Sequence, residues 1–352
     1  MSRPVEAIAV AEPSRAALAG GTAGGAGFGW RYVGSKVLGS ISTLFFVLVV
    51  NFFLFRVIPS DPVRTLARGR ATTPAQVAEL TKTLGLDQPL PQQFLTYLKN
   101  TATGEFGASF RYRQPVGQLM LDRLWPTLVL VGTSTILATL FGIWIGMIGA
   151  WNRGRMFDKV STSSTLTLYA MPEWWLGLLL LAVFAVGAGP IPGLFPVAGL
   201  VSPSVDQWSW HGIYDQAWHL TLPVITLTLA YLAEYGLIAR SALLDEMGED
   251  YLQTARAKGL PDMLVRRRHA TRNAMLPVTT LVALNLGFVV GGAITIETVF
   301  SIPGLGLLST EALSIPDFPL LQGTFLVFSA AVIVANLIAN LLYGWLDPRV
   351  RA

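Results

Sequence analysis

The chain of 352 residues contains no cysteine. No disulfide, thiolate zinc site, iron–sulfur cluster or cysteine nucleophile can be built from it. Charge is scarce as well: Asp, Glu, Lys and Arg make up 13% of the residues, against roughly 25% in an ordinary soluble domain. The charges are also unevenly spread. Residues 37–55, 127–150, 276–296 and 322–346 hold none of the four, and 161–188 and 218–239 hold one Glu each. Each run is close to or above the ~20 helical residues that cross ~30 Å of hydrocarbon. The expected class is therefore an all-α polytopic membrane protein with six transmembrane helices, at about 37–58, 125–150, 161–188, 217–243, 276–300 and 322–346. The first 35 residues, rich in Ala and Gly, read as a flexible cytoplasmic tail ahead of a transmembrane body over 36–352, and no compact apolar segment marks a cleaved signal peptide.

The basic residues orient the spans. With the N-terminus inside, segments 1–36, 151–160, 240–275 and 347–352 are cytoplasmic and hold 16 of the 25 Lys and Arg. The short external segments 189–216 and 301–321 hold none, and the eight external bases fall in the long loop 59–124, where the positive-inside rule has little force. Both termini are then cytoplasmic, and the bilayer is the first partner. The net charge of +4 follows from this topology and is no sign of nucleic-acid binding. The external loop has its own helix signals at 74–84, stopped by Gly85, and at 91–100. Trp208, Trp210, Tyr214 and Trp218 gather near one membrane boundary, as an aromatic belt does.

The cytoplasmic loop at 244–276 is polar, basic and helix-prone. Asp250 opens a helix that runs to Gly259, and Pro261 ends it, because proline lacks the amide donor and clashes with the preceding turn. Pro261 can also open a second short helix. Leu252, Ala255 and Gly259 share one face of the first helix, with Arg256 and Lys258 beside it. Small residues there would let a backbone lie deep in a partner's groove, so Asp250, Tyr251, Leu252, Thr254, Ala255, Arg256, Lys258 and Gly259 are the candidate docking residues. Arg266, Arg267 and Arg268 read as basic anchors at the membrane surface.

No catalytic chemistry competes with this reading. Gly29 to Lys36 has glycines and a lysine, but Ser35 precedes Lys36, which inverts the order of a phosphate loop, and no strand leads into it. By this topology His269 faces the cytoplasm while His211 and His219 lie near the outside, so the three cannot share one centre; His211 and His219 could together bind a metal, but nothing else marks them as ligands. Neither a catalytic site nor a metal or cofactor site is expected. Three acids interrupt apolar spans, and such acids are costly and often functional. Glu173 follows Pro172, Glu234 lies 1.5 turns from Arg240 and would pair with it loosely, and Glu297 is near the external end of the fifth span. Asn285 and Thr295 are further candidates to line a polar path. Gly142-x-x-x-Gly146 and Gly287-x-x-x-Gly291 suit close helix packing.

Several blocks together carry a family resemblance. Tyr251-x-x-Thr254-Ala255-Arg256-Ala257-Lys258-Gly259-Leu260, followed by His269-Ala270-x-Arg272-Asn273-Ala274-x-Leu276-Pro277, resembles the cytoplasmic loop of ABC-importer permeases, within these the dipeptide/oligopeptide/nickel group. Arg56 to Pro62, Leu84 to Leu90, Gly104-Glu105-Phe106-Gly107-x-Ser109, Glu297 to Gly306, Asp317-Phe318-Pro319 and Asp347-Pro348-Arg349 resemble further blocks of that group, in order. Gln253-Thr254-Ala255 stands where the general motif begins Glu-Ala-Ala, Ser60 stands where glycine is commoner, and Asn340 stands where many members have Asp. The resemblance implies a type I importer permease paired with a paralogous second permease. It also implies two cytoplasmic ATPase subunits that bind ATP and magnesium, and an external substrate-binding protein. The cytoplasmic helix would be the coupling helix. Peptides are the implied cargo, with nickel chelates, opines, haem or glutathione as alternatives, and an ion-coupled carrier is the competing class.

Overall fold

The computed structural model describes residues 30–57, 81–82, 85, 87–188, 191–285 and 293–346. Residues 1–29, most of the helix expected at 74–84, the block from Pro59 to Pro62, Gly287, Gly291 and Asp347-Pro348-Arg349 lie outside them.

Helix α1 (Trp30–Phe52) runs into a π-helical turn at Phe53–Val57. After α2 (Leu90–Thr103), the long α3 (Val116–Trp151) begins nine residues before the expected start of the second span. A proline precedes each of these two: Pro89 and Pro115 stand at the N-caps. Gly104 ends α2 in the left-handed conformation (φ 77°), returning its N–H to Asn100 and Thr101, as a glycine just past a helix does.

The third apolar run does not form one straight helix. It divides into α4 (Met156–Ala170) and α5 (Glu173–Leu180), the latter extended by a π-helical turn to Val186, with a bend of 102° between the two. Pro172 is the cause. It removes a backbone donor and forces Met171 out of the helical region, to φ −83° and ψ 130°. Two short strands follow, β1 (Gly187–Ala188) and β2 (Ile191–Pro192), paired antiparallel; with the isolated bridge between Ala108 and Pro115 they are the β-structure among the described residues.

Helix α6 (Trp210–Glu246) is followed by α7 (Asp250–Ala257), the single turn α8 (Asp262–Leu264), a π-helical stretch at Val265–Ala270, and α9 (Thr271–Asn285). The fifth apolar run is thus represented by α9 and by the short α10 (Ile294–Val299). Helices α11 (Leu305–Ser314) and α12 (Phe318–Leu346) complete the chain. Among the described residues four helices are long and apolar enough to cross a membrane, within α1, α3, α6 and α12, and the bent α4–α5 pair is apolar and long enough only when taken together, as a broken span or a re-entrant loop.

The centre of the bundle is the α3–α6 pair, which packs backbone to backbone. A Cβ on Gly142 would come to 2.8 Å from Tyr235 Cβ and 3.0 Å from the Leu232 carbonyl oxygen, and a Cβ on Gly146 would strike the Gly236 carbonyl oxygen. The Gly142-x-x-x-Gly146 spacing therefore serves packing within the chain. Apolar clusters extend from this seam, including Leu130, Leu227, Ile296 and Phe300 in one and Val116, Leu305, Leu308 and Leu320 in another.

Replacing Gly146 by Ala should lower stability by about 1–3 kcal/mol, the range of an overpacked core, because the methyl group meets backbone on the facing helix. The thermal unfolding midpoint in detergent checks this; an unchanged midpoint would mean that α3 and α6 separate at little cost.

Candidate coupling surface and translocation path

Helix α7 begins after Glu249 and ends at Lys258, with Gly259 at φ 80° just beyond it. That left-handed position explains the glycine, since an L side chain is strained there although open space surrounds it. The helix lies with one face inward. Leu252 is 0% exposed and Ala255 8% exposed. They pack with Met147 and Ala150 of α3, Leu243 of α6, Val265 and Ala270 of the π-helical stretch, and Ala274 of α9. This corrects the expectation that Leu252 and Ala255 belong to an outward docking face: they seat the helix on its own chain. The outward face is formed by Asp250, Tyr251, Thr254, Arg256, Lys258 and Gly259, all exposed.

Polar contacts fasten the same helix at both ends. The Tyr251 hydroxyl donates to Glu246 Oε1 at the end of α6. Asn273 Nδ2, in the first turn of α9, donates to Glu246 Oε1 at 3.1 Å and to the Tyr251 hydroxyl at 3.0 Å. Burial, with the bond to Glu246 second, pushes the Tyr251 phenol up to about 12, so it remains a neutral donor across physiological pH. At the other end Asp262 pairs with Arg256 (3.2 Å) and Arg266 (2.7 Å). The roles of Glu246, Asp262 and Asn273 were not legible beforehand, although Asn273 stands inside the block that carried the resemblance.

The candidate path residues divide. Thr295 Oγ1 donates to Glu173 Oε1 at 2.6 Å, so the structure brings together the start of α5, at the bend, and α10. Thr295 is exposed on this chain and Glu173 is half-buried. Glu234 is half-buried on α6. Its expected neighbour Arg240 is instead engaged by Asp158 of α4, with Nε 2.7 Å and Nη2 3.1 Å from the two carboxylate oxygens. Asp158 is itself buried and also accepts from the Gly154 N–H at 2.9 Å, so this pair clamps α4 to α6. The side chain of Asn285 lies outside the described residues.

Glu297 is fully buried and not at an open interface. Its carboxylate accepts from Thr127 Oγ1 (2.7 Å) and from the N–H groups of Gly306 (2.8 Å) and Leu307 (3.1 Å), in the first turn of α11. An acid there satisfies the donors that every helix N-terminus leaves open. Gly304 is required by the same arrangement, since a Cβ would strike the Glu297 carboxylate; Ser301, at φ 51°, makes the tight turn. The Glu297–Gly306 block is thus a helix-reversal unit. A second junction joins two other blocks: Asp317 Oδ2 accepts from Ser109 Oγ (2.6 Å) and from the Arg111 N–H (3.1 Å), tying the loop after α2 to the start of α12.

The family model described as "Binding-protein-dependent transport system inner membrane component" matches residues 138–352, and its N-terminal counterpart matches residues 30–131. The chain belongs to this family. It is a multi-pass inner-membrane permease subunit of an ABC importer and not an enzyme, and the ion-coupled carrier is set aside. The family works with ATPase and substrate-binding partners. Curated relatives include the glutathione transport system permease protein GsiC of Escherichia coli strain K12 and that of Shigella dysenteriae serotype 1, each 38% identical over 322 residues, covering 91% of this chain and 99% of the relative. The inward-facing methionine ABC transporter MetNI shares the fold, with a TM-score of 0.51 at 16% identity, over 65% of this chain and 97% of that one.

Replacing Glu297 by Gln should destabilise the protein by about 1–3 kcal/mol, because an amide N–H₂ would face donors that need an acceptor. Hydrogen exchange across α11 should rise with it. Intact protection with loss of uptake would place Glu297 in the path instead.

Proposed function

We propose that this permease forms half of a peptide path, in which α7 passes ATPase movement to the spanning helices. The observation that carries the proposal is the attachment of α7. Its inner face is buried against α3, α6 and α9, and Tyr251, Glu246 and Asn273 join it to the ends of α6 and α9. A push on its exposed face is therefore a push on three spans. Packed side chains and rigid helices of this kind carry coupling between distant sites. Asp250, Tyr251, Thr254, Arg256, Lys258 and Gly259 would meet an ATPase, while Leu252 and Ala255 hold the lever in place.

In the assembled importer a paralogous permease would supply the other half of the path and two ATPases would bind the paired loops. A binding protein would deliver cargo on the outer face. The distribution of Lys and Arg supports cytoplasmic termini and a cytoplasmic α7. Glu173 and Thr295 support a path at the α5 bend. A carboxylate left only half-buried within an apolar run is too costly to face lipid and is accommodated by water or a second subunit. The favoured cargo is a short peptide. Similarity to glutathione permeases supports that class, since glutathione is itself a small peptide, and it makes glutathione the second reading.

The test is coupled transport by the reconstituted importer, with ATP hydrolysis and uptake of labelled di- and tripeptides and of glutathione measured together. Asn273→Ala removes two hydrogen bonds from the α7 attachment, worth together about 1–3 kcal/mol. It should raise the ATP spent per molecule transported severalfold while the complex stays assembled. An unchanged ratio would contradict coupling through α7; transport of glutathione without competition from other peptides would select the second reading.

A further inference from the structure

Thr295 and Thr298 stand three apart in α10 and both are exposed, so they share one face. Thr295 donates to Glu173 at the start of α5. The Thr298 hydroxyl lies 3.4 Å from that of Thr310 in α11, and Ser314, one turn further on, donates to the Thr310 carbonyl oxygen at 2.9 Å. Glu173, Thr295, Thr298, Thr310 and Ser314 therefore make a continuous polar row from the α5 bend to the end of α11. The row leads from an apolar run into the external segment 301–321.

The hydroxyls alone decide nothing. Thr298 and Ser314 also donate to carbonyl oxygens of their own helices and could face lipid at little cost. The carboxylate decides. Glu173 is half-buried, and among the described residues no Lys, Arg or His forms an ion pair with it. An acid within an apolar run needs water, a partner subunit or a cation against it. The neighbouring segments carry the same sign. The short external segments 189–216 and 301–321 hold Asp206, Asp215, Glu311 and Asp317 and no Lys or Arg, while the external bases all belong to the long loop 59–124. We propose that Glu173 selects cargo by charge: it receives an ammonium group of the passing peptide, while the hydroxyl row offers donors and acceptors to the peptide's amide groups. Cargo with surplus positive charge is favoured. Cargo such as glutathione, whose carboxylates outnumber its ammonium group, is disfavoured. The proposal rests on the path reading given above and adds to it a sign and a residue.

The experiment uses the absence of native cysteine. Thr298→Cys places one thiol on the row and leaves the Thr295–Glu173 bond in place. In the detergent-solubilised importer, with and without trapped ATP, the thiol is modified by a cationic trimethylammonium methanethiosulfonate or an anionic sulfonate one. Each rate is divided by the rate with a free thiol in solution, and the complex with unsubstituted chain gives the background from other subunits. The normalised ratio should favour the cation about tenfold, because one carboxylate acts with opposite sign on the two reagents. Adding Glu173→Gln should bring the ratio near unity, and Glu173→Asp should keep it. A ratio near unity with Glu173 in place, or one that Glu173→Gln leaves unchanged, would overturn charge selection and leave the path reading standing. A thiol that neither reagent reaches in either state would overturn both. The first ratio needs no change at Glu173, so a poorly folding variant does not shield the proposal. Uptake of Ala-Lys-Ala relative to Ala-Glu-Ala is the second readout. Glu173→Gln should shift it severalfold toward the glutamate peptide; the binding protein is the same in both importers, so its own preference cancels. An unchanged uptake ratio would also overturn the proposal.

Discussion

Leu252 and Ala255 are buried, although they belong to an eight-residue helix at one end of the bundle. A helix that short has little stability of its own in water, because nucleation costs more than two turns return. What fixes α7 is the apolar seat made by Met147, Ala150, Leu243, Val265, Ala270 and Ala274. The seat in turn depends on α3 and α6 approaching closely enough to present Met147 and Leu243 together. Gly142, Gly146 and Gly236 permit that approach. The position of the loop at the membrane surface is thus set by missing side chains in the middle of the bundle.

The same economy appears at the opposite end. Glu297 brings three donors to one carboxylate and so fixes where α11 begins. Asp317 fixes where α12 begins and holds the loop after α2 to it. Both acids sit in apolar surroundings, yet each is surrounded by groups that need an acceptor. Their burial is a solution to the open ends of helices, which in an apolar environment cannot be left to water. Glu173 differs: it is only half-buried and its hydroxyl partner Thr295 is exposed, on a surface that lipid cannot cover cheaply.

The long apolar runs were legible as spans because hydropathy depends on local composition alone, but 161–188 was expected as one helix and is divided at Pro172. The size of the bend was not legible, since it depends on what α4 and α5 pack against. The period of α7 placed Leu252 and Ala255 on one face, but period cannot say whether a face looks toward the chain or toward a partner. Small and apolar residues fit either, and the inward reading won because three helix ends supply the complementary surface. The Asp158–Arg240 clamp joins residues 82 apart in sequence, and Thr127 meets Glu297 across 170. No local pattern announces such pairs. The Glu297–Gly306 block was recognisable as a unit, but its physical meaning required the Gly304 backbone and the carboxylate to be seen in contact.

Because the chain has no native cysteine, a single introduced thiol reports one position without background. The decisive measurement is thiol cross-linking of Lys258→Cys, on the exposed side of α7, to the ATPase subunits of the assembled importer, with and without trapped ATP. The account predicts efficient cross-linking to an ATPase and a change in yield when nucleotide closes the pair, because the lever moves with it. Cross-linking to no ATPase in an intact complex, or a yield indifferent to nucleotide, would contradict coupling through this helix.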